Sequence, residues 1–153
     1  MINSDLIDLL RLLNENQVKY LIVGAYAVIY YAEPRYTKDL DIWVEPSKKN
    51  AQKLWKALAE FGAPLENVTI ADFQNPEIVF QIGVEPNRID ILMGIEGLTF
   101  KTAWKRRLKI QFDSVKVSIL SIDDLITSKK MAGRLQDKLD LKYLKKAKNR
   151  LKK

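Results

Sequence analysis

A chain of 153 residues that is 47% hydrophobic carries enough apolar material for one domain with a buried core and too little for two. It has no cysteine and no histidine, which excludes cysteine nucleophiles, serine-histidine triads, disulfides and the usual zinc sites; catalysis must rest on carboxylates, lysines, arginines, hydroxyls or a metal held by oxygen. The formal charge of +7 is concentrated at one end, because residues 129–153 hold eleven basic side chains against two acidic ones, whereas residues 1–128 hold fifteen against seventeen. A basic end suits a polyanionic partner such as nucleic acid, or a solvated helical tail, and charge alone favours the tail. No apolar run is long enough to cross a bilayer, and the first residues carry acids where a signal peptide carries base, so the expected location is cytoplasmic with no membrane partner.

Taken in chain order, Ser4 to Leu13 predicts an amphipathic helix. Asn3 or Ser4 can cap it, Asp5 and Asp8 sit near its positive end, and Leu6, Leu9, Leu10 and Leu13 share one side. Tyr20 to Val23 predicts a buried strand, Gly24 a sharp turn, and about Tyr26 to Tyr31 a short helix; a loop through Pro34 then leads to a second strand that opens with two carboxylates. Asp39 and Asp41 are two apart, so the period of a strand points both at one face while Leu40, Ile42 and Val44 point at the other. Two carboxylates side by side repel, and a divalent metal is the usual remedy.

Glu45-Pro46-Ser47 turns the chain into a helix that ends near Phe61-Gly62, with Ala51, Leu54, Trp55 and Leu58 inward. Residues 63–77 read as loop with a short strand over Asn67 to Ala71. Two apolar runs, Ile78 to Val84 and Arg88 to Met93, joined by Glu85-Pro86-Asn87, predict an antiparallel hairpin. In the second run Ile89, Ile91 and Met93 point one way and Asp90 the other with Leu92, so one acid stands between two isoleucines. Thr99 to Arg107 predicts a short helix with Phe100, Ala103 and Trp104 inward, and Lys109 to Phe112 with Val115 to Leu120 a further strand pair around Asp113-Ser114. Ser121 and Asp124 resemble a capping box for a helix from Ile122 to about Ala132 that Gly133 ends or kinks. Leu135 to about Lys148 is the last helix, with Leu139, Tyr143 and Leu144 on its inward stripe and Asp137 and Asp140 as partners for its lysines.

The glycine turn, the Asp39-Leu40-Asp41 strand and the separate Ile89-Asp90-Ile91 strand together resemble the minimal nucleotidyltransferases of the DNA polymerase beta superfamily. Within it, V-G-A-Y-A-V followed by P-R-Y-T-K-D-L-D-I-W-V is most similar to the AbiEii-like toxin group, whose central stretch reads Gly-Gly, Arg-x-Thr, Asp-x-Asp. The distal Lys129, Ala132-Gly133-Arg134 and Asp137 are similar to that group's C-terminal pattern. The resemblance implies an α+β fold, a mixed sheet with flanking helices and a helical C-terminus, in a single domain over 1–153 of which 121–153 is the basic helical part. It implies Mg²⁺ or Mn²⁺ held by Asp39, Asp41 and Asp90, with Asp90 helping to deprotonate an attacking hydroxyl.

For the nucleotide it implies Gly24 and Ala25, whose backbone meets phosphate at a helix start, then Arg35, Thr37, Lys129 and Arg134. Ala25 departs from the group's second Gly or Ser and removes a hydroxyl contact while leaving backbone contacts. Each cation also has a plainer reading. Arg35 can pair with Glu33 while Thr37 caps a loop, Lys130 shares a helix face with Arg134 better than Lys129 does, and Arg134 can pair with Asp137 at i,i+3. The expected activity is transfer of a nucleoside monophosphate from an NTP to a hydroxyl acceptor, with RNA, tRNA in particular, as acceptor and an antitoxin protein as partner. The alternatives are a catalytically silent relative that binds nucleic acid or an antitoxin, for which Ala25 is the motive, and a purely structural module in which the aspartates are dispensable.

Overall fold

A computed structural model of the chain describes residues 4–32, 39–84 and 88–151. Helix α1 (Ser4–Glu15) buries Leu6, Leu9, Leu10 and Leu13, and β1 (Tyr20–Val23) is buried along its whole length, so both faces of the sheet are covered there. Helix α2 (Gly24–Tyr31) follows at once; it is apolar nearly all round and buries Ala25, Ala27 and Val28. Strand β2 (Asp39–Val44) carries the two acids at its start and buries Leu40, Ile42, Trp43 and Val44. Helix α3 (Lys48–Phe61) is capped by Ser47, whose hydroxyl accepts from the Asn50 backbone, and stops at Gly62, which takes the left-handed conformation.

Strands β3 (Val79–Ile82) and β4 (Arg88–Leu92) pair antiparallel, as do β5 (Leu108–Phe112) and β6 (Val115–Ile119); α4 (Phe100–Lys105) lies between the two hairpins. The residues expected to turn the first hairpin, 85–87, lie outside the described ones. Helices α5 (Ile122–Ala132) and α6 (Leu135–Leu151) close the chain and pack against each other and against α2. All six strands join one sheet in the order β3-β4-β2-β1-β6-β5, with β2–β4 and β1–β6 parallel and the rest antiparallel. The fold is therefore α+β, a mixed six-stranded sheet with flanking helices and a helical C-terminus.

Two local expectations are overturned. The segment 67–71 is not a strand; Ile70–Gln74 forms a 3₁₀ turn, because Thr69 and Asp72 satisfy each other's backbone in a capping box that a strand could not hold. That turn buries Phe73 against Trp55 and Phe80. On α6 the inward stripe is not led by Leu139, which is 46% exposed, but by Asp137 and Asp140, followed by Leu144 and Ala147 at helical spacing. At α5 the cap is half of the expected box: Ser121 accepts from the Asp124 backbone, while the Asp124 carboxylate accepts from Arg106 at 3.0 Å instead.

Candidate active site

Strand register assembles the acids. β2 and β4 run parallel with Asp39 opposite Arg88 and Asp41 opposite Asp90, so period-two geometry puts all four side chains on one face. On the other face Leu40, Ile42, Ile89 and Ile91 are buried, which leaves the strands no freedom to slip by one residue. The guanidinium of Arg88 bridges the acids: one terminal nitrogen donates to Asp39 Oδ2 at 2.7 Å, Nε donates to Asp90 Oδ1 at 3.1 Å, and a second contact to Asp90 Oδ2 spans 3.3 Å.

Asp41 sits deepest in charge terms. Its carboxyl is pushed up to about 7, first by burial and then by the neighbouring Asp90 and Asp39, against the partial relief of Lys129 and Arg88. Burial, and then the charge of Asp39, also raises the Tyr26 phenol.

The glycine turn touches this group directly. Val23 pairs with Asp41 across β1 and β2, and Gly24 then turns into α2 with φ +67°. A Cβ at Gly24 would lie 2.9 Å from Asp41 Cγ and overlap Oδ2, so both the backbone and the close approach demand glycine. The N–H groups at the start of α2, which the helix itself does not pair, thus open beside Asp41. Gly24→Ala is expected to cost at least about 1 kcal/mol in urea denaturation and to displace the Asp41 carboxylate. A neutral substitution there would mean that the turn can relax away from the acid.

Asp41 and Gly24 form one wall of a cleft of ≈ 270 Å³ whose other walls include Leu92, Met131, Lys129 and Arg134. Lys129 is buried, and its Nζ lies 3.2 Å from Asp137 Oδ1 and 3.1 Å from Asp140 Oδ2. The plainer reading of Arg134 also holds, since its Nε donates to Asp137 Oδ2 at 2.7 Å while the side chain stays 77% exposed at the cleft. Burial by itself raises Asp137, but hydrogen bonds from Arg134 and Lys129 outweigh it and hold the carboxyl low. A larger cavity of ≈ 490 Å³ beside Tyr20, Trp104 and Lys109 lies at the opposite end of β1 and contains none of these residues.

The structure therefore brings together Gly24, Ala25 at the helix start, Asp39, Asp41 and Asp90, with Lys129 and Arg134 across the cleft. Arg35 and Thr37 lie outside the described residues. Sequence reasoning passed over Arg88, although Arg88-Ile89-Asp90 already placed it on the face of Asp90. It also missed the burial of Asp137 and Asp140, which the 137, 140, 144, 147 spacing contains.

Among the described residues no three acidic side chains already enclose a metal position, and Arg88 holds Asp39 and Asp90. The donors nevertheless fit a hard divalent cation: they are carboxylate oxygens on adjacent strands, and burial together with the charges of Asp90 and Asp39 makes the anionic form of Asp41 costly without one.

A profile of the family described as "Nucleotidyl transferase of unknown function (DUF2204)" matches residues 2–153. The chain belongs to this family. Among curated proteins none matches the sequence. Solved structures of low sequence identity share the fold of this nucleotidyl transferase, among them the following two. The lincosamide antibiotic adenylyltransferase LnuA, with lincomycin bound, superposes with a TM-score of 0.63 at 17% identity, over 95% of this chain and 97% of that one. A putative nucleotidyltransferase (TM1012) from Thermotoga maritima gives 0.60 at 13% identity, over 93% of each chain.

Proposed function

We propose that the protein transfers a nucleoside monophosphate from an NTP to a hydroxyl acceptor, using Asp39, Asp41 and Asp90 to hold Mg²⁺ or Mn²⁺. The observation that carries this reading is the register of β2 against β4, which sets three acids on one face beside the Gly24 turn. When bound, a divalent ion supplies charge neutralisation of the triphosphate and of the leaving pyrophosphate. The backbone N–H groups that begin α2 meet phosphate oxygens, and Gly24 lets them approach. Asp90 takes the proton of the acceptor hydroxyl as its oxygen bonds to the α-phosphorus and the bond to the β-phosphate oxygen breaks. Arg134, exposed at the cleft, and Lys129 behind it add positive charge on the side opposite the acids.

An RNA acceptor, tRNA in particular, agrees with the likeness to the AbiEii-like toxins and with the exposed Lys138, Lys142, Lys145 and Lys146 of α6. On that reading an antitoxin is the natural protein partner. A small-molecule hydroxyl is the second reading, supported by the end-to-end match to a lincosamide antibiotic adenylyltransferase.

Incubation with labelled NTPs, Mg²⁺ or Mn²⁺ and total RNA, beside the Asp39→Ala/Asp41→Ala variant, tests both. Label entering RNA with the wild type alone supports the first. Label entering only lincomycin or another small alcohol supports the second. No metal-dependent transfer to any acceptor would leave the silent relative standing.

A further inference from the structure

Arg88 lies where a metal-binding face ought to be purely acidic. Strand register places it directly beside Asp39 and two residues before Asp90, and its planar fork reaches both carboxylates at once, at 2.7 Å and 3.1 Å. Its side chain is 28% exposed and those of Asp39 and Asp90 25% and 13%, so water weakens these contacts little. Arg88 thus answers two of the three negative charges directly, beside the partial relief that Lys129 gives the third. It is held by the same oxygens that a divalent ion needs, while burial and then the charges of Asp90 and Asp39 raise Asp41, which Arg88 relieves only in part.

We propose that Arg88 is a resident counter-ion of the acidic face, which a divalent cation must displace from Asp39 and Asp90 in order to bind. This rests on the metal-dependent reading above. The guanidinium keeps the metal-free face from flying apart, and its attraction to the two carboxylates is subtracted from the free energy of metal binding. Metal affinity is therefore set by a contest between two cations for one group of oxygens. The released side chain, tethered at the start of β4, keeps its five N–H donors for whatever anion the metal brings with it.

The proposal is tested by Mn²⁺ titration of the purified protein without nucleotide, read by the loss of the free-Mn²⁺ paramagnetic resonance signal, and by thermal denaturation in chelator and in Mn²⁺. Wild type, Arg88→Gln and Arg88→Lys are compared. Arg88→Gln is expected to bind Mn²⁺ at least about tenfold more tightly than wild type, because a full positive charge within a few ångströms of the ion has gone. It is also expected to melt lower in chelator and to gain more from Mn²⁺. Arg88→Lys, which keeps the charge and loses the fork, falls between the two, and it preserves the comparison if Arg88→Gln does not fold without metal. Equal or weaker Mn²⁺ binding in both variants, with wild-type binding still abolished by Asp41→Ala, overturns the proposal and leaves the metal reading intact. Absence of Mn²⁺ binding in all three proteins overturns the metal reading itself, and this proposal with it.

Discussion

Asp41→Asn is expected to abolish nucleotidyl transfer and, at the same time, to make the metal-free protein more stable. The loss of activity is at least about thousandfold, ~4 kcal/mol in the transition state, because on the proposed metal role the neutral amide offers a divalent ion none of the negative charge of the carboxylate. The gain in stability comes from the same carboxylate. Burial and the neighbouring acids raise its folded pKa from the ordinary 3.8 to about 7, so the folded state prefers it protonated. A carboxyl with a raised folded pKa supports the fold fully below its unfolded pKa, and that support is lost as pH climbs through the folded value. In wild type the penalty grows between about pH 4 and pH 7 and is complete near pH 8, where a shift of this size is worth about 4 kcal/mol; at pH 5 it is less than half of that.

The neutral asparagine carries no such penalty. Urea denaturation in chelator at pH 5 and pH 8 reads the effect as a gap between variant and wild type that widens with pH. Parallel curves would show that burial and the neighbouring acids do not raise Asp41. Addition of Mg²⁺ is expected to close the gap by stabilising wild type and not the variant.

Lys129→Met is expected to have the largest effect on the fold. It removes the buried ammonium from between Asp137 and Asp140, whose side chains are almost fully enclosed, and breaking one partner out of a buried ion group costs about 3–5 kcal/mol. For a chain of this size that lowers the melting temperature by about 10 °C or more. The damage belongs at the junction of α5 and α6, so proteolysis of α6 should rise before the rest of the chain becomes susceptible. Adding Asp140→Asn to Lys129→Met is expected to recover more than half of the loss, since Asp137 keeps Arg134 and the Arg134 backbone N–H. A double variant no more stable than Lys129→Met would place the loss in packing rather than in uncompensated charge.

If Lys129 also serves the nucleotide, it does so from a fixed position. Its two carboxylate partners hold the ammonium beneath the cleft, where it already moderates Asp41, whereas Arg134 keeps its guanidinium largely in water. The two basic residues that the sequence groups together thus differ in kind. Lys129 is part of the frame, whereas Arg134 stays paired with Asp137 while its side chain lies exposed at the cleft.

Much of this was legible in the order of residues alone. Period-two alternation put Asp39 and Asp41 on one face and set Asp90 apart from its isoleucines, the apolar stripe and Gly62 bounded α3, and Ser121 and Gly133 fixed both ends of α5. These features are local: a strand's facing, a cap and a left-handed stop are each decided within a few residues, so the sequence by itself determines them. It also determined the chemistry available, by supplying oxygen donors and withholding histidine and cysteine.

What only the tertiary structure decided is who stands beside whom. Alternation says which side chains share a face of one strand, but not that β4 pairs parallel to β2 in the register that sets Arg88 against Asp39, because that choice is made by burying Ile89 and Ile91 with Leu40 and Ile42. Nor does helical spacing rank Asp137 and Asp140 above Leu139 for the inward side of α6. A carboxylate loses that contest unless a buried cation awaits it, and Lys129, on another helix, comes within reach only when the chain has folded.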